Sequence, residues 1–494
     1  MIGIRIHEKD NVAVALKKLD EGEMFCTGSL NLLLREHIFQ GHKFALENIR
    51  PGDDVVKYGF PIGRAKKEIR KGEWVHVHNL ETKLDESESY QYNPVGTKAH
   101  IKPKHPMTFK GFERKDGSVG TRNELWIIPT VGCINSLAGQ LKYKVLEYSM
   151  GKVDQIRVFA HPYGCSQMGD DHRMTQRALA ALASHPNAGG VLVLGLGCEN
   201  NRISEFKKVL GMYDPERIAF LECQSVSDEM GEGERILKRL LDHASRSVRV
   251  PVPVSELVVG LKCGGSDGLS GLTANPLVGR FSDDLISQGG TTLLTEVPEM
   301  FGAETILMDR CKDRSTFQDT VDLVNHFKTY FTDHGQVIYE NPSPGNKEGG
   351  ISTLEDKSLG CIQKGGMAPV TDVLDYAQKV KSRGLNLLLG PGNDIVSTSA
   401  LVMSGAQIVL FTTGRGNPMG CAVPTLKISS NSGLSQFKCR WIDVNGGELA
   451  EGMSMEAAEE ELFHKVVAVA GGEQTKSERE GLFEFAIFKN GVTL

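Results

Sequence analysis

The sequence predicts an α/β protein with a small all-β domain at its amino end, and three observations carry that expectation. Residues 41–80, GHKFALENIRPGDDVVKYGFPIGRAKKEIRKGEWVHVHNL, run as short apolar strands broken by closely spaced turns. From Phe109 to about Val250, strand-like and helix-like patterns alternate. The same alternation returns from about residue 251 to the end of the 494-residue chain, which is too long for one hydrophobic core. Repeated βα units imply parallel, right-handed, Rossmann-like sheets. The expected division is therefore a β domain over 1–95, a polar, proline-containing linker over 96–108, and α/β domains over 109–250 and 251–494.

In the first domain, strands are expected at 2–6, 43–46, 54–58, 61–62 and 74–78, with one helix over 28–36. His76 and His78 alternate with Val75 and Val77, so a strand there would place both imidazoles on one face. In the middle domain, strands at 125–128, 156–159, 190–194 and 217–221 alternate with helices from 135 and over 171–183, 202–210 and 229–243. In the last domain, strands are expected at 257–261, 291–295, 385–389 and 407–411. Its helices are expected over 276–288, 315–333, 371–381 and 455–469, with Asn275 as the cap of the first.

Composition narrows the function. The 56 basic against 62 acidic residues give a net charge of −6, which offers no electrostatic reason to bind nucleic acid. No apolar run reaches the roughly 18 residues a membrane span needs, and MIGIRIHEKDNVAVAL lacks a secretory h-region. A cytoplasmic location is expected. Ten scattered cysteines then favour thiols or metal ligands over disulfides. No G-x-G-x-x-G followed by an acidic residue supports a nicotinamide site, and no C-x-x-C supports a zinc ribbon or ferredoxin-type cluster.

The reactive residues collect just after the expected strands. They include Cys133, His161, Cys165, Cys198, Glu199 and ECQS (222–225), then the stretch Cys263-Gly-Gly-Ser-Asp-Gly-Leu-Ser-Gly271 with Ser266 and Asp267, then Glu296, GPGND (390–394) and Arg415. A parallel sheet lines up such loops along one crevice outside its carboxyl edge. The thiols are open to three readings: small buried hydrophobes, ligands for iron as an ion or a cluster, or a nucleophile paired with His161. Arg122, Asn123, Asn346, Lys347 and Arg415 supply cations and amides suited to an anionic, polyhydroxylated ligand.

The strings DNVAVAL (10–16), QGHKFAL (40–46), GSVGTRN (117–123), GLGCEN (195–200), CGGSDGLSGLTANP (263–276), NPSPGNKEGG (341–350), KGG (364–366) and FTTGRGNPMG (411–420) resemble the altronate/galactarate dehydratase family over essentially the whole chain. The length and VHVHN (75–79) are most similar to its altronate branch. The resemblance implies a SAF-type β-clip followed by the two α/β domains. It implies a hydro-lyase converting a hexonate or hexarate to a 2-keto-3-deoxy acid, with Fe2+ or Mn2+ as cofactor. On that basis His161 is expected as base or metal ligand, joined at the metal by Cys165, Cys198 and Cys263, while Ser266 and Asp267 contact substrate or metal in catalysis. Substrate contacts are expected from Arg122, Asn123, Asn346, Lys347, Arg415, His76 and His78, with His42 a weaker candidate. The expected partner is a small sugar acid; a homo-oligomer is left open. Two rivals stand beside this reading: galactarate dehydration or sulfite elimination from sulfolactate on the same scaffold, and a non-catalytic sugar-acid binding protein.

Overall fold

The computed structural model describes residues 2–28, 30–84, 89–95 and 107–491. The amino-terminal domain is built wholly of short antiparallel strands. Gly3–Ile4, Val12–Ala15, Lys43–Ala45 and Trp74–Val75 form one sheet, and Asp54–Lys57, Phe60–Ala65 and Leu80–Glu81 form a second. The expected helix over 28–36 is absent among the described residues. Met24–Thr27 pairs there with Leu30–Leu33 as a hairpin, because burial alternates residue by residue: Leu32 and Leu34 point inward while Leu33 faces solvent. The expected strand 74–78 ends at Val75. His76–Asn79 turns back, with the Asn79 side chain accepting from the His76 amide, so His76 is buried and His78 exposed rather than sharing a face.

The expected linker 96–108 falls mostly outside the described residues. Just before it, residues 89–95 lie against the last domain: Tyr90 Oη donates to Glu304 (2.6 Å), Tyr92 Oη to the Cys311 carbonyl (3.0 Å), and the Val95 amide to Asp309 (3.0 Å). Thr108–Glu113 then pairs antiparallel with both Val119–Gly120 and Val250–Pro253, so the chain enters and leaves the middle domain through one small sheet.

Both larger domains are parallel. The middle sheet runs Ile156–Val158, Glu124–Pro129, Ala188–Gly195, Ile218–Glu222. Ala188–Gly195 is buried along its full length, as expected of a strand covered on both faces. The last sheet has seven strands in the order Val370–Leu374, Gly384–Leu388, Thr291–Leu294, Val258–Cys263, Ile408–Thr413, Thr425–Ser429, Val444–Asn445. Val370–Leu374 is a correction: a helix was expected over 371–381, but these residues pair with Leu385–Leu388 as an added edge strand.

Chain order in this sheet explains where a ligand can sit. Building starts at Val258–Cys263 and moves outward on one side. The helix Asp394–Met403 then returns the chain to Ile408–Thr413, on the other side of the starting strand. The order reverses between Val258–Cys263 and Ile408–Thr413, and at such a point the flanking loops part into a crevice. The two α/β domains are stitched at their amino edges. Thr121 Oγ1 (3.1 Å) and Asn187 Nδ2 (3.2 Å) both donate to the Gln407 carbonyl, and His185 Nε2 lies 3.1 Å from the Ala406 carbonyl. Helices Gly169–Ala183 and Asp394–Met403 pack together between the sheets, with their carboxyl ends at this seam. Both carboxyl edges therefore open on the same side of the molecule.

Candidate active site at the switch point of the seven-stranded sheet

Val258–Cys263 carries, one residue before its end, a lysine that has no polar face to occupy, since a central strand of this sheet is covered on both sides. Lys262 is fully buried and resolves that conflict with two carboxylates, Glu296 and Asp394, the latter at 2.8 Å. Glu296 follows Thr291–Leu294 and holds a left-handed backbone (φ 68°), a conformation that costs a non-glycine residue about 1–3 kcal/mol. Its carboxylate also accepts the Cys263 amide (3.0 Å) and lies 3.4 Å from Lys364 Nζ.

Beyond Glu296 the cluster continues inward. Cys263 Sγ is 3.4 Å from Cys361 Sγ, 3.1 Å from Glu299 Oε2 and 2.8 Å from Lys364 Nζ, while Glu299 pairs with Lys357 at 2.8 Å. Three ammoniums thus face three carboxylates, with two thiols between them. All are buried except Asp394, whose side chain is 30% exposed and forms the open end. Asn417 Nδ2 holds that end at 2.8 Å. Burial alone would raise the Glu299 carboxyl, but Lys357, Lys262 and Lys364 hold it well below the usual carboxylate range. Burial and the Glu299 charge push Glu296 the other way, upward, against Lys262 and Lys364. Two carboxylates whose environments drive them apart are suited to exchange a proton.

Loops far apart in sequence close over this centre. Gly264 donates to the Thr412 carbonyl (3.0 Å), and Gly414 (3.0 Å) and Arg415 (2.8 Å) donate to the Gly265 carbonyl, joining both walls of the crevice. Asp267 is the knot of the loop. Its Oδ1 accepts from the Leu269 and Ser270 amides and from the Ser270 and Ser430 hydroxyls, and its Oδ2 from Asn431. With its lone pairs so occupied, it organises backbone. Ser266 is buried, and its carbonyl accepts Asn346 Nδ2 (2.8 Å). Asn275 lies inside the helix Ala274–Ser287 instead of capping it. It bridges Gly360 (3.0 Å) and Thr412 (2.6 Å).

The amino-terminal domain seats on these loops backbone to backbone. A Cβ on Gly268 would come within 1.9 Å of the Gly41 carbonyl, so glycine is obligatory there. Lys43 (2.7 Å) and Lys57 (3.0 Å) converge on Asp356, with all three side chains buried. His42 Nε2 lies 3.1 Å from the Glu348 carbonyl and its Nδ1 accepts the Trp74 indole (3.1 Å). His76 Nδ1 is 3.0 Å from Ser352 Oγ, and its ring stacks on Trp74. Burial pulls His42 down to about 4 and His76 to about 3. Both are neutral packing groups of the domain contact.

Several expected site residues lie elsewhere. Arg122 and Asn123 precede Glu124–Pro129, at the amino edge opposite the crevice. Arg122 pairs bidentately with Glu478 (2.7 and 3.0 Å) and bonds three backbone carbonyls, which leaves nothing for a substrate. Asn123 bonds Arg114 (3.0 Å) and the Ala244 carbonyl (2.9 Å). Arg122→Ala is expected to cost about 3–5 kcal/mol by stranding Glu478, with KM unchanged; a raised KM in an equally stable protein would return Arg122 to the site. His161 has both ring nitrogens engaged by backbone, Nε2 with the Pro129 carbonyl (2.8 Å) and Nδ1 with the Tyr163 amide (3.1 Å), so it has no lone pair for a proton or a metal. Arg415 makes an exposed pair with Glu348 (2.8 Å), and Lys347 is half-buried on the short helix Pro344–Glu348.

The expected metal set of His161, Cys165, Cys198 and Cys263 divides between the two sheets. Cys165 and Cys198 are exposed on the middle domain, while Cys263 is buried in the last. Among the described residues, Cys263, Glu299 and Cys361 are close enough to share one ion. They do not fit a divalent cation. Lys364 and Lys357 already occupy Cys263 and Glu299, and the Cys263 hydrogen bond, burial and nearby carboxylate raise the Cys361 thiol well above its usual value. A protonated thiol among ammoniums is a poor ligand. Lys262, Glu299, Lys357 and Cys361 were not singled out in the sequence; a lysine closing the apolar run VVGLK was the available signal for the first.

A buried cluster of acids, amines and thiols at a switch point, covered by a small β domain, is the arrangement of an enzyme site. Three family models match in series: "Altronate/galactarate dehydratase SAF domain" over 1–83, "D-galactarate dehydratase/Altronate hydrolase, second domain" over 111–245, and "D-galactarate/Altronate dehydratase, C-terminal" over 254–493. The chain belongs to the altronate/galactarate dehydratase family. It is 51% identical to the altronate dehydratases of Bacillus subtilis (strain 168) and Escherichia coli (strain K12), in each case over 99% of both chains. It is 34% identical to the galactarate dehydratase (L-threo-forming) of Escherichia coli (strain K12), over 98% of this chain and 96% of that one.

Proposed function

We propose that this protein dehydrates D-altronate to 2-dehydro-3-deoxy-D-gluconate and water. The observation that carries the reading is the Lys262–Glu296 pair, buried at the switch point and opened toward the crevice by Asp394. The reaction takes the proton from C2, beside the carboxylate. The C3 hydroxyl gains a proton and leaves as water, and the resulting enol tautomerises to the 2-keto acid. That sequence needs a group able to hold and return a proton, and cations to balance the charge that develops. Glu296, with its raised affinity for a proton, serves as the acid–base group, and Lys262 and Lys364 supply the positive field. No step is assigned to a divalent ion at this buried centre, because its donors do not fit one. The substrate is a small molecule. Among the described residues no helix is long and apolar enough to cross a membrane, and a cytoplasmic setting belongs to this reading as a proposal.

A panel of D-altronate, galactarate and sulfolactate tests it, with keto acid and sulfite both measured. The expected result is keto acid from D-altronate with kcat/KM at least about tenfold above galactarate, a discrimination worth about 1.4 kcal/mol. Preferred turnover of galactarate, or sulfite release, would replace the substrate. Saturable binding without turnover would make the chain a binding protein.

A further inference from the structure

The buried centre leaves unexplained three exposed thiols at the carboxyl edge of the middle sheet. Cys133, Cys165 and Cys198 follow Glu124–Pro129, Ile156–Val158 and Ala188–Gly195, three strands that are immediate neighbours in that sheet. Adjacent strands lie about 4.8 Å apart, and the loop that carries Cys133 follows the central strand of the three, with the loops of Cys165 and Cys198 on either side of it. The loops are locked to one another. The Gly132 amide donates to the Tyr163 carbonyl (2.8 Å), Ser166 to Asn200 Oδ1 (2.9 Å), and Asn201 to the Gly164 carbonyl (3.2 Å). Asn201 Nδ2 reaches the Thr130 carbonyl (3.2 Å), and Thr130 Oγ1 donates to Glu199 (2.6 Å). A Cβ on Gly164 would come within 2.0 Å of the Thr130 carbonyl.

Two further features mark these loops as built for a ligand. Ser166, beside Cys165, is held at φ 53°, a strained position for serine. Gln167 Nε2 and Asn201 Oδ1 are buried without a hydrogen-bond partner among the described residues, although both side chains belong to the loops that carry Cys165 and Cys198. Each thiol also lies between a strand end and the start of a helix: Asn135–Ser149, Gly169–Ala183 and Ile203–Leu210. Helix amino ends favour thiolate and any anionic centre bound through it. The fourth strand-end cysteine, Cys223, differs: it is buried, and burial pushes its thiol up to about 11.

We propose that Cys133, Cys165 and Cys198 hold an iron–sulfur cluster, three thiolates on three of its irons, with a further iron left open to an oxygen ligand. Soft sulfur donors select iron over manganese, whereas manganese prefers oxygen. An iron lacking a protein thiolate is a Lewis acid able to take a hydroxyl or carboxylate oxygen. Because both carboxyl edges open on one side, the cluster shares that side with Asp394 and Glu296. The inference deepens the dehydratase reading and rests on it for the purpose of the open iron, not for the presence of the cluster.

The test is anaerobic reconstitution of the full chain with ferric iron, sulfide and a thiol reductant, followed by iron and acid-labile sulfide analysis, visible absorption and Mössbauer spectroscopy. Wild type is expected to bind iron and sulfide in equal amounts with a broad visible charge-transfer band. Cys133→Ser, Cys165→Ser and Cys198→Ser should each lose most of that band and of both elements, while Cys26→Ser and Cys439→Ser, at other exposed thiols, keep them. All three sites are exposed, so serine should leave the melting temperature unchanged. Iron bound without sulfide would make the centre mononuclear and overturn the cluster. Iron content indifferent to the three substitutions, or no iron bound, would overturn the site. D-altronate turnover is measured in parallel: a loaded cluster with no turnover defeats the dehydratase reading and leaves the cluster standing.

Discussion

Glu296→Gln is expected to lower keto-acid formation from D-altronate by about 10²–10⁴-fold, the usual contribution of a positioned acid–base group. Glutamine keeps the shape but has a single acceptor oxygen, so it can keep the Lys262 contact only by turning its own NH2 toward the Cys263 amide; a melting temperature close to wild type would assign the loss to the proton that the carboxyl carries. The variant should also flatten the limb of the kcat–pH profile that Glu296 governs. Asp394→Asn is the companion: it removes the exposed partner of Lys262 but leaves Glu296, and should reduce turnover less. Turnover of Glu296→Gln within a fewfold of wild type, with an unchanged profile, would remove Glu296 from the chemistry.

The second large effect concerns how the β-clip is held. Asp356→Asn is expected to destabilise the protein by about 3–5 kcal/mol, the cost of breaking a buried ion pair from one side. Asp356 accepts Lys43 (2.7 Å), Lys57 (3.0 Å) and the Ser352 amide (3.0 Å). Without its charge two ammoniums lie buried and unmatched. Burial already pulls Lys43 down to about 8 even with Asp356 present, so it is the one expected to shed its proton in the variant. The loss should appear as a lower melting temperature and as faster hydrogen exchange in residues 41–57 and 349–356, where the two domains meet. An unchanged melting temperature and exchange pattern would show that backbone contact at Gly41, Gly268 and Gly350 is enough to seat the domain.

Most of the architecture is legible in the sequence. The alternation in 109–250 and 251–494 marks covered parallel strands and their helices, because such strands are continuous apolar runs and their helices carry a 3.6-residue period. The failures are local. Residues 28–36 form a leucine-rich run that is ambiguous between helix and strand, and the inward turn of Leu32 and Leu34 shows only once Phe25 lies opposite Leu32. Residues 371–381 begin in an edge strand, which is defined by its neighbour, here Gly384–Leu388, more than by its own composition.

For the site, the loops that matter were visible and the side chains within them were not. CGGSDGLSG and NPSPGNKEGG announce close backbone approach through their glycines, and those glycines do pack loop on loop. Whether Asp267 acts as a base or as a knot depends on which donors reach it. Ser430 and Asn431 reach it from more than 160 residues away in sequence. In the same way Lys262, Glu299 and Lys357 are unremarkable charges in the chain, and burial beside Glu296 and Lys364 makes them part of a centre. Periodicity, which is local, determined the strands, the helices and the order of the layers. Charge pairing and desolvation are not local: they arise where distant segments meet, and tertiary structure alone decided which carboxylates, amines and thiols share a site.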